Sequence, residues 1–188
     1  MTSALRKIWY FIWKDDSIWS WIVNIILAFL IVYFIIYPGL GLLFDTKLPV
    51  VAVVSGSMEH SRIPFDDWWD KNSDFYIKNN FTKQQFENLK FKNGFNKGDI
   101  MLLFGTAPEK IKIGDVIVFN GNYRDPVIHR VVKINKVNNE YLFTTKGDNV
   151  DRIQSFEEKI QEKDLLGRAV LRIPYLGWVK IVFTSLWR

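Results

Sequence analysis

An uncharged apolar run near the N-terminus limits most strongly what this chain can fold into. Residues 17–44 contain no Asp, Glu, Lys or Arg. As a helix, residues 17–37 would be about 31 Å long, which is about the thickness of a bilayer's hydrocarbon core. Burying such a helix inside a protein would take a far larger domain than a chain of 188 residues supplies. The run therefore predicts a transmembrane helix that ends or bends at Pro38-Gly39.

The flanks of the run indicate an anchor that is not cleaved. The run is longer than the apolar core of a signal peptide, and no Ala-x-Ala-like cleavage site follows it. Arg6, Lys7 and Lys14 precede it, which favours an N-terminus in the cytoplasm. We therefore predict a single-pass protein, with a cytoplasmic N-terminus and anchor (1–44) and an extracytoplasmic domain (45–188).

Two further segments are apolar enough to contact a membrane. Residues 8–13 form an aromatic cluster, which fits a short interfacial helix or an ordinary flank of the anchor equally well. Residues 178–188 at the C-terminus are also largely apolar. Membrane lipid is therefore an expected partner of this chain.

The composition excludes several kinds of site. The chain has no cysteine, which excludes disulfides, a thiolate nucleophile and cysteine-based metal sites. Its two histidines, His60 and His129, are too few for a histidine-rich metal centre. The net charge of +5 suits an anionic membrane surface but is spread thinly, without the clustered Lys/Arg stripe of a nucleic-acid-binding protein. No metal, organic cofactor or nucleic acid is expected.

The part after the anchor has the pattern of a mainly β fold. Short β-branched runs, several introduced by Gly-Asp turns, predict strands at 48–54, 100–104, 116–119, 127–134, 141–145 and 166–173. A polar connection over 135–140 predicts a hairpin. No helical pattern alternates with the strands, which favours an antiparallel sheet. Residues 59–96 depart from the pattern and predict a partly helical insertion, with a helix over 82–89 that Thr82 caps.

A serine and a histidine are the candidates for catalysis. Ser57 follows the first strand in the sequence Ser-Gly-Ser-Met, which taken alone is more often a simple turn. A nucleophilic serine needs a base, and a carboxylate best holds a histidine base. An antiparallel pair of the strands at 127–134 and 141–145 would bring His129 near the turn at 146–151, which is rich in Asp and Asn. A lone histidine on such a strand is more often a core residue, and Gly, Asp and Asn are ordinary turn formers.

Taken together and in this order, the motifs resemble type I signal peptidases. The matching segments are SGSM, KGDIMLLF, IGDVIVF, DPVIHRVV, TKGDNVD and GRAVLRIPYLGWV. They cover nearly all of 17–188 except the insertion. The resemblance implies a signal-peptidase-like antiparallel β domain in which Ser57 is the nucleophile. The Ser55 hydroxyl, by resemblance, and the Ser57 backbone N–H are the candidate donors to the oxyanion.

His129 assigns the chain to one branch by this resemblance. Bacterial members of the family carry a lysine at this position, whereas archaeal and endoplasmic-reticulum members carry a histidine. The chain therefore resembles the Ser-His-Asp branch. The resemblance favours Asp151 as the partner of His129, with Asp148 supporting the site, although the spacing between the two aspartates is shorter than the family's.

The sequence contains one rival base and excludes one other class of serine hydrolase. His60 lies three residues after Ser57 and is a rival base if the chain turns helical there. An α/β-hydrolase would need the order Ser, Asp, His and a G-x-S-x-G motif, and neither is present.

The expected function is the removal of signal peptides from secreted preproteins by a membrane-bound serine endopeptidase. Processing-complex or translocon subunits are possible further partners. One alternative is a catalytically inactive membrane-anchored subunit of an envelope or processing complex. Others are a structural membrane protein with a β domain and a related protease that acts on other membrane-linked precursors.

Overall fold

The chain divides into two units, residues 1–43 and residues 44–188. A computed structural model describes residues 3–121, 123 and 125–185.

The first unit consists of a short helix followed by a long apolar one. Helix α1 (Ser3–Trp13) is joined by a turn to α2 (Ile18–Ile31). The second helix continues as a π-helical segment (Val32–Ile36) and then as α3 (Tyr37–Leu43). The continuous helix Ile18–Leu43 is, by length and composition, long and apolar enough to cross a membrane.

The apolar helix does not end at Pro38-Gly39. In a regular α-helix a proline lacks one hydrogen bond, and its ring clashes with the carbonyl four residues earlier. Here the turn before Pro38 is π-helical, and the Tyr37 N–H bonds the Val32 carbonyl five residues back. This wider turn changes the local hydrogen bonding, and the helix continues to Leu43.

The second unit is built on one sheet of seven strands. The strands are β1 (Val50–Ala52), β2 (Ile100–Phe104), β3 (Val116–Phe119), β4 (Val127–Val137), β5 (Glu140–Lys146), β6 (Ile160–Gln161) and β7 (Leu165–Ile173). Their order is β1-β2-β7-β3-β4-β5-β6, and each neighbouring pair is antiparallel. The predicted mainly β antiparallel fold is confirmed, and the two-residue β6 is the strand that the sequence pattern did not reveal.

The β4–β5 hairpin positions the segment around His129. Asn138 and Asn139 both have positive φ, 50° and 70°, as a tight type I′ hairpin turn requires. The pairing runs from Val137 opposite Glu140 to Arg130 opposite Lys146. The hairpin therefore brings the residues beside His129 against the end of β5.

The insertion contains two helices, α4 (Phe65–Lys78) and α5 (Lys83–Glu87). The predicted cap is confirmed, because the Thr82 side chain accepts from the Gln85 N–H and the Gln85 side chain accepts from the Thr82 N–H. The helix that follows is shorter than predicted, and α4 was not predicted. The insertion's aromatic side chains pack on Val132 of β4, at a bulge in the β4–β5 pairing.

Short helices complete the second unit. They are the 3-10 turns Pro108–Lys110, Ser155–Glu157 and Glu162–Asp164 and the C-terminal helix α6 (Trp178–Ser185). The last part of the apolar segment 178–188, after Ser185, lies outside the described residues.

Candidate active site

Ser57 lies in a tight turn that follows β1. The Glu59 N–H donates to the Gly56 carbonyl at 3.1 Å and closes the turn. The next side chain, Met58, is 1% exposed and packs into the core between β1, β2 and β7, which fixes the turn to the sheet. The Ser57 side chain remains half-buried at the surface.

Asn149 binds the backbone carbonyls of Gly56 and Ser57. Its side-chain amide donates to the Gly56 carbonyl at 3.0 Å, and its backbone N–H donates to the Ser57 carbonyl at 2.7 Å. In a trans peptide the N–H points opposite to the preceding C=O. The bond to the Gly56 carbonyl therefore also sets the direction of the Ser57 N–H.

His129 approaches Ser57 from β4. Its backbone is fixed opposite Ile117 of β3, and the residue is 6% exposed. Its Nε2 lies 2.8 Å from Ser57 Oγ, within hydrogen-bond distance. The structure thus brings these two sequence-predicted residues together.

The carboxylate that contacts His129 belongs to Glu157. Its Oε1 lies 2.5 Å from Nδ1 of His129 and also accepts from the Thr145 hydroxyl at 3.2 Å. Its Oε2 accepts from the Gln154 N–H at 2.8 Å. An ionised carboxylate only accepts hydrogen bonds, so Nδ1 carries the proton and Nε2 is left to accept from Ser57.

Gly147 allows the serine and the histidine to meet. A Cβ at this position would lie 2.9 Å from His129 Nε2, 2.7 Å from the Ser57 carbonyl oxygen and 3.1 Å from Ser57 Cβ. The contacts with the Ser57 carbonyl oxygen and with His129 Nε2 are shorter than real Cβ atoms show, and the contact with Ser57 Cβ is tighter than most. Close packing therefore requires glycine here.

The Ser55 hydroxyl lies beside the nucleophile. Its Oγ is 3.2 Å from Ser57 Oγ, and either hydroxyl can donate. Both face solvent at the end of β1. The arrangement places one hydroxyl donor next to the atom from which a covalent bond to substrate would form.

Asp148 is buried at the back of the site. It accepts two hydrogen bonds from Arg130, at 2.9 and 2.7 Å, and one from the Tyr76 hydroxyl at 2.7 Å. His60 Nε2 lies 3.0 Å from its second oxygen. Burial by itself raises the pKa of Asp148, but Arg130 and His60 outweigh it and hold that pKa well below its usual value. Burial, followed by the nearby Asp148 charge, raises the pKa of Tyr76 well above its usual value.

The insertion surrounds this buried carboxylate. The His60 ring stacks on Trp68 of α4, with ring centroids 3.7 Å apart. Arg130 also donates to the carbonyls of Lys90 and Phe91, at 3.1 and 2.9 Å. The insertion therefore packs behind the turn that carries Gly147 and Asn149, and its backbone binds Arg130.

Lys146 precedes that turn and is also buried. Its ammonium donates to the Gly147 carbonyl at 3.0 Å and lies over the rings of Phe75 and Tyr76 in α4. Burial lowers its pKa.

The predicted carboxylate partners are not at His129. Asp151 is exposed to solvent, and both ring nitrogens of His129 are already engaged by Ser57 and Glu157. Asp148 is bonded to Arg130, Tyr76 and His60 instead. The geometry thus corrects the expectation of an aspartate at this position. The physical reason is that a 3-10 turn beside β6 carries Glu157 back over β5.

His60 does not approach Ser57 as a base. It is 2% exposed and turned towards Asp148 and Trp68.

Sequence reasoning missed three residues of the site, Glu157, Gly147 and Asn149. No pattern distinguishes Glu157 from the other acidic residues, whereas Gly147 and Asn149 flank an aspartate that was already considered. No group of three or more His, Cys, Asp or Glu side chains able to hold a metal ion occurs among residues 3–121, 123 and 125–185.

The site is of the serine-hydrolase type, because a serine, a histidine and a buried carboxylate are hydrogen-bonded in series on an antiparallel sheet. Comparison with curated proteins gives the relatives of the chain. The human signal peptidase complex catalytic subunit SEC11C is 31% identical over 157 residues, which cover 80% of this chain and 65% of the relative. The SEC11 subunit of Scheffersomyces stipitis is 29% identical over 159 residues, covering 81% of this chain and 75% of the relative.

The chain is thus a homologue of these subunits, and the resemblance to the endoplasmic-reticulum branch of type I signal peptidases is confirmed. The SEC11 subunit of Metarhizium acridum is similar over the same extent, at 25% identity. The chain spans 65% of the length of the mammalian relatives that it matches. No family model matches it.

Proposed function

We propose that this chain is a membrane-bound serine endopeptidase that removes signal peptides from secreted preproteins. The observation that carries the proposal is the hydrogen-bonded series Ser57–His129–Glu157 in a homologue of signal peptidase catalytic subunits. A binding subunit would have no need for a serine hydroxyl 2.8 Å from a histidine that is itself held by a buried carboxylate.

In the first half-reaction Ser57 Oγ attacks the scissile carbonyl carbon, and its proton passes to Nε2 of His129. The ionised Glu157 holds the imidazole in the reactive tautomer and stabilises its positive charge. The tetrahedral intermediate then collapses. The peptide C–N bond breaks, His129 gives its proton to the leaving amine, and the acyl group stays on Ser57.

In the second half-reaction a water molecule replaces the amine. His129 takes one of its protons while the water oxygen attacks the ester carbon of the acyl-enzyme. Collapse of the second intermediate returns the proton to Ser57 Oγ and releases the peptide with a new carboxyl end. The Ser57 N–H, directed by Asn149, and the Ser55 hydroxyl are the proposed donors to the oxyanion in both steps.

The substrate is proposed to bind as an added strand. β1 is the first strand in the sheet order and leads directly into the Ser57 turn. An extended peptide can add to such an edge through main-chain hydrogen bonds, and pockets for alternate side chains would give specificity. The resemblance to type I signal peptidases is the basis for proposing small residues before the cut, in an Ala-x-Ala-like site.

The apolar helix is proposed to be an uncleaved anchor, with its N-terminus in the cytoplasm. Arg6, Lys7 and Lys14 lie on the N-terminal side of Ile18–Leu43, as the positive-inside bias favours. Anchoring confines enzyme and preprotein to one membrane and raises their effective concentration. The relatives are named as subunits of a complex, so partner subunits are proposed here too.

A cleavage assay on the full chain tests the proposal. The protein, in detergent and in phospholipid vesicles, is mixed with a preprotein bearing an Ala-x-Ala site, beside Ser57→Ala and His129→Ala. Circular dichroism and thermal melting establish that each variant is folded. Cleavage at that site by the parent, and by neither variant, is the expected result.

Two results would contradict the proposal. Activity lost in Ser57→Ala but retained in His129→Ala would remove His129 as the base. A folded parent that leaves the preprotein intact in detergent, in vesicles and in native membranes that hold the proposed partner subunits would favour an inactive binding subunit.

A further inference from the structure

Helix α1 carries an apolar stripe that is left mostly exposed in the described part of the chain. At 3.6 residues per turn, Leu5, Ile8, Trp9 and Ile12 lie along one side of the helix. The first three are 52%, 56% and 57% exposed. Trp13 extends the stripe and contacts Trp9, with ring centroids 5.6 Å apart. Large apolar side chains that are mostly exposed along one side of a helix require an apolar surface to cover them.

The opposite side of α1 is basic. Ser3, Lys7 and Tyr10 lie on this side, and Arg6 lies at its border with the stripe; all four are exposed. Lys14 and Asp15 follow the helix, and Asp15 lines the same groove as Arg6 and Lys7. No acidic residue occurs within Ser3–Trp13. The helix therefore combines a largely exposed apolar face with a polar face whose charges within the helix are all positive, which is the pattern of helices that lie in the plane of a membrane interface.

Polar side chains of α2 hold α1 next to the start of the apolar helix. The last carbonyls of a helix have no partner within it. The Ser20 hydroxyl donates to the Phe11 carbonyl at 2.6 Å, and the Asn24 amide donates to the Ile12 carbonyl at 2.9 Å. These bonds use two of the few polar side chains in the uncharged run, and they fix the end of α1 to the first two turns of α2.

The turn between the helices is fixed as well. Asp15 accepts from the Ser17 N–H at 2.9 Å, and the Ser17 hydroxyl accepts from the Ser20 N–H at 3.3 Å. A helix attached in this way to the end of a membrane-spanning segment is held at the depth where that segment meets the headgroups.

We propose that α1 lies in the membrane–water interface and binds anionic lipid headgroups through Arg6 and Lys7. The apolar stripe enters the boundary between headgroups and acyl chains, and the basic side faces the headgroups and water. The inference rests on the proposed membrane anchoring of Ile18–Leu43, and it does not depend on peptidase activity.

The absence of cysteine makes a labelling experiment direct. Single cysteines replace Ser3, Leu5, Lys7 and Ile8 one at a time in the full chain. Each variant is spin-labelled and reconstituted in vesicles of phosphatidylcholine with phosphatidylglycerol. Ile26→Cys, in the apolar helix, is the depth reference. Electron paramagnetic resonance then compares the accessibility of each label to lipid-soluble oxygen and to a water-soluble nickel chelate.

The accessibility of the labels is expected to follow the helical period. Labels at positions 5 and 8 contact oxygen more than the chelate, and labels at positions 3 and 7 show the reverse. Equal exposure of all four labels to the chelate, with Ile26→Cys in lipid, would overturn the proposal and leave α1 as an aqueous flank. Labels at 5 and 8 shielded from both reagents would also overturn it, because protein would then cover the stripe. An Ile26→Cys label exposed to water would instead contradict the anchor itself.

The headgroup contact has its own test. In the Ile8→Cys protein, the label should lie deeper in vesicles containing phosphatidylglycerol than in pure phosphatidylcholine. Removing both charges by R6Q and K7Q should abolish that difference, since each basic residue near an anionic surface contributes about a fivefold increase in binding. Lys71→Gln, a surface charge in the other unit, is the matched control and should leave the difference intact. A label depth independent of lipid charge in the parent would overturn the headgroup contact.

Discussion

Glu157 lies on one side of the His129 ring and Ser57 on the other, 2.5 and 2.8 Å from the two ring nitrogens. Because each nitrogen has one of these partners, no aspartate is needed at the imidazole. This relationship sets the proposed catalytic series of this chain apart from a Ser-His-Asp arrangement. It also gives the sharpest prediction.

Glu157→Gln should lower kcat by about 10³- to 10⁴-fold with little change in KM, because an amide can stabilise the wrong imidazole tautomer and does not offset the imidazolium charge. Asp151→Asn is the matched control and should cleave like the parent, since Asp151 is exposed. Steady-state kinetics on the same preprotein measure both. The reverse pattern, with activity lost in Asp151→Asn and kept in Glu157→Gln, would restore the aspartate.

Ser55→Ala should lower kcat by about 100-fold, as expected for the loss of one donor to the oxyanion. Ser55→Thr keeps a hydroxyl at the same position and should retain most of the activity. If both variants lose activity equally, the size of the side chain matters at this position and its hydroxyl does not. Single-turnover kinetics distinguish a slower acylation from weaker substrate binding.

Gly147→Ala should abolish cleavage while the protein still folds, because the new methyl group would lie 2.9 Å from His129 Nε2 and must displace the ring or Ser57. Overpacking of this kind typically costs about 1–3 kcal/mol of stability. Gly39→Ala, where nothing lies within 4 Å of the added Cβ, is the control and should be fully active. Full activity of Gly147→Ala would mean that the serine and histidine are not packed this closely.

Asn149→Ala should reduce kcat more than it changes KM. It removes the side-chain bond to the Gly56 carbonyl but keeps the backbone bond to the Ser57 carbonyl. The Ser57 N–H would then be free to turn away from the oxyanion. A variant with unchanged kcat would indicate that the turn holds its direction without this amide.

The Asp148 carboxylate should make stability depend on pH in acid. Its pKa is depressed in the folded state, so its contribution is complete above the unfolded value of about 4 and is lost as pH falls below it. One such proton corresponds to a slope of up to about 1.4 kcal/mol per pH unit in the free energy of unfolding. Urea unfolding between about pH 2 and pH 4 should therefore show a smaller slope for Asp148→Asn than for the parent.

Tyr76→Phe is the matched control for that measurement. It removes one hydrogen bond to Asp148 but keeps the carboxylate and its bonds to Arg130, so the slope should persist. Asp148→Asn should in addition lose about 3–5 kcal/mol, because Arg130 would be left as a buried charge without its partner. Equal slopes in the parent and Asp148→Asn would contradict the depressed pKa.

Local patterns were sufficient for much of the fold. The β-branched runs that follow Gly-Asp turns predict where β2 and β3 begin and end, and both strands have the predicted bounds in the structure. Helix α4 was missed although its buried residues, Trp68, Trp69, Ser73 and Tyr76, have helical spacing. Its aromatic and short polar residues are weak helix formers, and Pro64 precedes it without a side-chain cap.

The sequence by itself determined the long apolar helix and the antiparallel strands, because these depend on residues close together in the chain. It also determined the Ser57 and His129 candidates, through the order of several short motifs along the chain. Only the tertiary structure decided which carboxylate reaches His129. Glu157 lies 28 residues from that histidine, and a short turn beside β6 brings it there. The packing of the insertion around Asp148 was likewise decided at long range. Contacts of this kind depend on how the strands and turns pack in space, which no local pattern of residues records.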